Sequence, residues 1–248
     1  MNEDDFLQLL AKAEHATVLE LGTMRSVPDR PTHHRYWCHP SANFIMSDFE
    51  EGPDVDVVCD VHSLTDAFVR ESIDFIICCS VFEHVQRPWI AAQEIARVLK
   101  PGGMVFVQTH QTFPIHGYPS DFWRYTTEAL MTIFEDVRLE TLSATYRFPA
   151  QIVSEQTPDS GQFPAFLNAN ILSKKPLDWV DFAGAKAAGG IPSGGISSVA
   201  ARRLNARIAE LEAALAQRDI EVHSLRSSTS WRVTAPGRAL ARLLLGRA

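Results

Sequence analysis

The sequence predicts a doubly wound α/β fold with a mostly parallel sheet, followed by a C-terminal coiled-coil helix. Three observations carry that prediction. Short β-rich segments, apolar on both faces, recur through the first two-thirds of the chain, as strands inside a parallel sheet do. A segment with helical spacing separates two of them. Near the C-terminus, apolar residues fall on a heptad.

Residues 3–13 place apolar side chains at roughly helical spacing. Strands are expected at residues 16–21, 43–47, 55–59 (VDVVC), 75–80 (FIICCS) and 104–109 (MVFVQT). Between the last two, residues 88–99 (PWIAAQEIARVL) open on a proline, carry apolar residues at helical spacing and meet a Lys-Pro-Gly-Gly stop. A further helix is expected at 126–134, and residues 137–144 and 165–173 read as a closing antiparallel pair. Residues 22–40 should hold the first crossover helix. Pro28, Pro31 and Pro40 leave room for a short helix at most, so an irregular loop is expected there.

The module boundaries follow composition. Residues 1–180 hold 25 acidic against 13 basic side chains, and residues 181–248 hold 5 against 10. An acidic globule with a basic tail is two modules with different partners, and its acidity disfavours nucleic-acid binding. Residues 181–200 read as a Gly/Ala/Ser-rich linker. In residues 201–226 a heptad seam runs through Leu204, Ile208, Leu211, Leu215, Val222 and Leu225, with Arg218 in one core slot. It reads as a coiled coil, giving a homo-oligomer or a partner enzyme, or as a lone amphipathic helix folded back on the domain. Residues 227–248 interleave arginines with Trp231, Val233 and Leu243–Leu245, which suits a membrane surface or a partner groove. Four cysteines without a framework, an acidic N-terminus and no long apolar run point to a reducing, cytoplasmic protein, and the basic tail suits a peripheral place at the inner membrane face.

Ligands of an open α/β sheet bind outside the carboxyl ends of its strands. Three successive strand ends carry carboxylates here: Glu20 before Gly22, then Asp48, then Asp60 before Val61. Such a rim suits a nucleoside. Asp48 can accept both ribose hydroxyls, and Asp60 the exocyclic amine of adenine, with Val61 against the ring. Gly22 lets the backbone approach the ligand. Glu20 can orient the loop or meet an ammonium group. No G-x-G-x-x-G follows the first strand, which disfavours a dinucleotide oxidoreductase.

Five segments in order, VLELG (18–22), Asp48, DVHSL (60–64), SVFEHV (80–85) and EIARVLKPGGMVFV (94–107), resemble class I S-adenosylmethionine-dependent methyltransferases of the small-molecule group. The resemblance spans about residues 14–175 and implies a seven-stranded Rossmann-like methyltransferase sheet. It implies S-adenosylmethionine bound at Glu20, Gly22, Asp48, Asp60, Val61, Ser80, Val81 and His84, with Phe82 and Glu83 close by. Thr23 and Met24 stand where the family usually places another glycine. That departure admits a second reading, a domain without activity that assembles other enzymes through its coiled coil.

The methyl acceptor should sit at residues 110–125 (HQTFPIHGYPSDFWRY), the densest run of polar and aromatic groups. It offers His110, His116, Asp121 and Arg124 beside Phe113, Tyr118, Phe122 and Trp123; the alternative is a loop whose aromatics pack into the domain. Methyl transfer is an in-line displacement, so alignment supplies much of the rate, and a hydroxyl acceptor gains from a base. His110 is the first candidate base and His116 the second, while His84 is expected mainly to bond backbone. His33, His34, Cys38 and His39 lack a common zinc spacing, so no metal is expected. The tail segment SSTSWRVTAPGRALARLL resembles the ends of bacterial enzymes that build surface polysaccharides, which implies a sugar hydroxyl as acceptor.

Overall fold

The computed structural model describes residues 1–25, 27, 29–153, 156, 164–181 and 218. All but the last belong to one compact unit, Met1–Gly190, and Arg218 belongs to a second, Ile191–Ala248. The expected linker beyond Asp181, the coiled coil apart from Arg218 and the basic tail therefore lie outside the described residues.

Seven strands form a single sheet in the order β3-β2-β1-β4-β5-β7-β6. They are β1 (Thr17–Leu21), β2 (Asn43–Asp48), β3 (Val57–Val58), β4 (Ile73–Cys79), β5 (Leu99–His110), β6 (Glu140–Ala150) and β7 (Ala165–Lys174). The first five are parallel; β7 runs antiparallel between β5 and β6. The order reverses beside β1, whose neighbours are β2 and β4, and this switch point opens a crevice at the carboxyl ends. The expected third strand shrinks to two residues. Asp54 takes a left-handed conformation (φ 65°), and the Asp56 carboxylate accepts the Met46 amide, so local carboxylate bonds replace part of the ladder.

Each sheet face has its own apolar core. Helix α3 (Pro88–Val98) buries Ala91, Ala92, Ile95 and Val98 against Leu19, Ile76 and Val105 on one face. α4 (Thr127–Asp136) adds Leu130 and Phe134 there, and the single turn α2 (Leu64–Ala67) adds Leu64. α1 (Glu3–Lys12) covers the other face. Its capping box, Asn2 with Asp5, satisfies two first-turn amides, and Phe6 stacks on Phe106 at 5.9 Å. Burying a side chain such as Phe6 is worth roughly 1.5–3 kcal/mol. Among the described residues of the proline-rich first crossover the helical structure is one 3-10 turn, Arg35–Trp37. Trp37 instead meets Phe106 edge-on at 6.0 Å, so an aromatic side chain covers sheet that a crossover helix would cover. No helix among the described residues is long and apolar enough to cross a membrane.

Candidate functional site

The rim is assembled from the ends of β1, β2 and β4. Gly22 follows β1 in the left-handed region (φ 79°), and its amide, like that of Thr23, donates to the Ser47 carbonyl on β2. The buried Ser47 hydroxyl returns a bond to the Glu20 carbonyl at 2.8 Å. A Cβ on Gly22 would lie 2.2 Å from a Val81 methyl, so the position admits no side chain without displacing Val81. The two residues after it are built in. The Thr23 hydroxyl donates to the Asp54 carbonyl at 2.6 Å, and the Met24 amide donates to Asp48 Oδ2 at 2.9 Å. Met24 also presses on Gly52, where a Cβ would meet its side chain at 2.8 Å. Threonine and methionine thus supply bonds and packing where the family usually places a glycine.

Two cavities meet at Gly22. The first, about 230 Å³, is walled by Leu21, Val61, Val81 and Val85, with Asp48, Asp60 and His84 at its polar edge. The second, about 530 Å³ and more polar, is lined by Ser80, Gln108, His33, His34 and Tyr36. Asp48 is held by the amides of Met24 and Phe49. Asp60 Oδ1 accepts the His62 amide at 2.8 Å and lies 2.6 Å from His62 Nδ1. Burial opposes ionisation of Asp60, but the His62 contacts outweigh it and hold the carboxyl below its ordinary range. Ser80, with φ 56°, lines the second cavity, and Val81 the first.

Glu20 lines neither cavity. It alternates away from Leu19 and Leu21 along β1, is buried, and meets His34: Oε2 accepts the His34 amide at 2.7 Å, and Oε1 lies 2.6 Å from Nδ1. It orients the proline-rich loop. The other members of that loop's histidine–cysteine set scatter: His39 bonds Ser41, and His33 packs edge-on to Phe44. Burial raises the Cys38 thiol to about 11.

Residues 110–125 divide into three groups. Phe113, Tyr118, Phe122 and Trp123 stay exposed, Tyr118 at 88%, while Tyr125 packs into the core and its hydroxyl donates to the Phe82 carbonyl at 3.0 Å. Asp121 and Arg124 consume one another. Nε of Arg124 donates to the Phe113 carbonyl, Nη1 to Asp121 Oδ1 and the Trp123 carbonyl, and Nη2 to Asp121 Oδ2 and the Pro114 carbonyl. All five guanidinium hydrogens are matched, so Arg124 folds the loop and has no donor left for an acceptor molecule. The Arg124 bonds, reinforced by the His116 amide, hold the Asp121 carboxyl far below its ordinary range. Arg124→Lys keeps the charge but loses the fork. We expect amide exchange across residues 113–124 to rise about tenfold, for a loss of about 1.4 kcal/mol in local opening free energy. Hydrogen–deuterium exchange by mass spectrometry checks it.

The histidines form the third group, around a residue the sequence reading placed only nearby. Glu83 is fully buried after β4, and its Oε2 accepts the Thr109 hydroxyl at 2.7 Å. His110 Nε2 lies 3.0 Å from Glu83 Oε1 and His116 Nε2 4.0 Å. Burial resists ionisation of Glu83; His110 and Thr109 overcome it and keep the carboxyl below its ordinary range. His110 is buried, stacked on Phe113 at 4.0 Å, and its Nδ1 meets Asn168 at 3.2 Å. Both of its nitrogens therefore face protein, which takes the first-choice base out of direct reach of an acceptor. His116 is one-third exposed, and its ring lies edge-on to His84 at 4.7 Å. His84 in turn lines the first cavity, with Nδ1 2.6 Å from the Ser120 carbonyl. The one signal for Glu83 was an acidic residue inside the apolar run SVFEHV, directly before a histidine.

Residues 24–107 match the family described as a methyltransferase domain. No curated protein matches the chain. Among solved structures, the YcgJ protein of Bacillus subtilis aligns with a TM-score of 0.50 at 16% identity, over 70% of this chain and 97% of its own, which is a shared fold. An S-adenosylmethionine-dependent methyltransferase of Archaeoglobus fulgidus aligns at 0.49 and 13% identity, over 69% of this chain and 90% of its own. The Burkholderia thailandensis 1,6-didemethyltoxoflavin-N1-methyltransferase, solved with S-adenosylhomocysteine, aligns at 0.49 and 13%, over 68% and 76%.

Proposed function

We propose that this chain, whose residues 24–107 carry a methyltransferase domain with S-adenosylmethionine as its cofactor, methylates a hydroxyl of a sugar or other small molecule. The residues present fit that cofactor. The first cavity combines an apolar slot for a purine, between Val61 and Val81, with the carboxylates Asp48 and Asp60 at its edge. The second adjoins it at Gly22, and the buried His33 Nδ1, a wall residue there, has no protein partner. When bound, the cofactor supplies an electrophilic methyl group on a cationic sulfur. Asp48 holds the ribose, Asp60 the adenine amine, and the Gly22–Thr23 backbone the remainder.

One observation carries the choice of an oxygen acceptor: His84, a wall of the first cavity, lies edge-on to His116 at 4.7 Å, and His116 Nε2 lies 4.0 Å from Glu83. Such a cluster draws a proton from a hydroxyl as the new bond forms, which a neutral amine acceptor needs less. Asp121 and Arg124 position His116 by holding its loop. The tail's resemblance to surface-polysaccharide enzymes supports a glycan acceptor. Residues 201–226 would pair the enzyme with a second copy or a partner, and residues 227–248 would bring it to the inner face of an anionic membrane; apart from Arg218, both lie outside the described residues.

Transfer of tritium from labelled cofactor to a glycan extract tests the reaction; a chain that transfers none to any hydroxyl compound refutes it. Asp48→Ala removes a charged acceptor worth about 1.5 kcal/mol, so affinity for S-adenosylhomocysteine should fall at least about tenfold by calorimetry. Unchanged affinity would exclude Asp48 from the site.

A further inference from the structure

Glu83, His84 and His116 each offer a ligand atom, and the three atoms lie within 4.8 Å of one another. They come from two segments, residues 82–84 after β4 and the loop after β5, so no sequence spacing announces them. Two observations separate this set from a chance meeting of polar groups. Glu83 is wholly buried, and its Oε1 receives no aligned hydrogen bond, with His110 Nε2 as an ion-pair neighbour at 3.0 Å. A carboxylate oxygen without an aligned donor keeps a lone pair that a cation can take up. The histidines are also set up as ligands. His84 Nδ1 meets the Ser120 carbonyl at 2.6 Å, and His116 Nδ1 the Pro114 carbonyl at 3.2 Å. A carbonyl on Nδ1 fixes the proton there and leaves Nε2 with its lone pair outward, which is how metal-ligating histidines are oriented.

We propose that Glu83, His84 and His116 bind a first-row divalent cation of the zinc–iron class. Two imidazoles and one carboxylate suit such an ion and leave coordination positions open. Bonds of about 2.1 Å require the three ligand atoms to draw together by about an ångström, through the partly exposed rings of His84 and His116. His84 also walls the first cavity, so the ion would stand beside it. There the ion would lower the pKa of an acceptor hydroxyl as it does that of water. This role rests on the hydroxyl-methylation reading; the binding site does not.

The test uses the untagged full-length chain, stripped with chelator, titrated with zinc chloride by calorimetry and loaded with cobalt for its visible absorption. We expect one ion per chain with micromolar or tighter affinity. Glu83→Gln and His116→Ala should each weaken it at least about 100-fold, with fold checked by circular dichroism. His39→Ala, a histidine of the other cluster, should leave it unchanged. No stoichiometric uptake by the wild type, or uptake indifferent to His116→Ala, overturns the proposal; His116 is partly exposed and decides the matter if Glu83→Gln does not fold. Uptake without any methyl transfer leaves the metal site standing and removes the proposed function. Methyl transfer without uptake does the reverse.

Discussion

Gly22→Ala should weaken S-adenosylhomocysteine binding about 100-fold. Two costs combine. The residue sits at φ 79°, where a Cβ costs about 1–2 kcal/mol. That Cβ would also arrive 2.2 Å from Val81 Cγ2, and a β-branched side chain has few rotamers in which to yield. Val81 is a wall of the first cavity, so its escape narrows that cavity. Together these amount to about 3 kcal/mol, or two decades of affinity. The double variant Gly22→Ala, Val81→Ala separates them: the collision is gone and the backbone strain remains, so about a tenfold defect should persist. Calorimetry alongside thermal melting reads both. A single variant that binds like wild type would show that the chain end of β1 is not a cofactor contact.

The second large effect concerns the buried Glu94 on α3. Glu94→Ala should lower stability by about 3 kcal/mol, a melting temperature about 6–12 °C lower for a chain of this size. Glu94 is 3% exposed, and its Oε2 accepts both the amide and the hydroxyl of Thr65. Its Oε1 pairs with Arg97. Removing it strands an amide and leaves Arg97 with Asp181 alone. Thr65 is the second residue of α2, which directly follows the 3-10 turn Val61–Ser63 beside the first cavity. The same variant should therefore loosen Asp60 and Val61 and lose cofactor affinity as it loses stability. Glu94→Gln keeps acceptors for Thr65 and should fall by only about 1 kcal/mol. Differential scanning calorimetry checks both; an alanine variant melting within 2 °C of wild type would contradict the argument.

Parts of the site were legible for different reasons. Gly22, Asp48, Asp60 and Val61 could be read because they directly follow strands, and a parallel sheet gathers all its strand ends on one rim. Glu20 was legible as an acidic strand-end residue, but its partner His34 was not, since the path of a proline-rich loop has no period to read. Arg124 looked like a substrate contact because an arginine among aromatics often is one. Only the carbonyls of Phe113, Pro114 and Trp123, brought round by the loop, reveal that its donors are occupied.

The one-dimensional pattern settled the layer order: two-faced apolar runs of five to seven residues can bury themselves only as inner strands, and the amphipathic 88–98 segment only as a crossover lying on them. Which side chains meet above the rim was decided by the folded chain. Glu83 and His116 are 33 residues apart, and their approach depends on β4 pairing β5 with Cys79 opposite Gln108, then on the loop that Asp121 and Arg124 fasten. A register is a property of two strands at once, and a loop's path follows from every hydrogen bond it closes, so neither is written in any single segment.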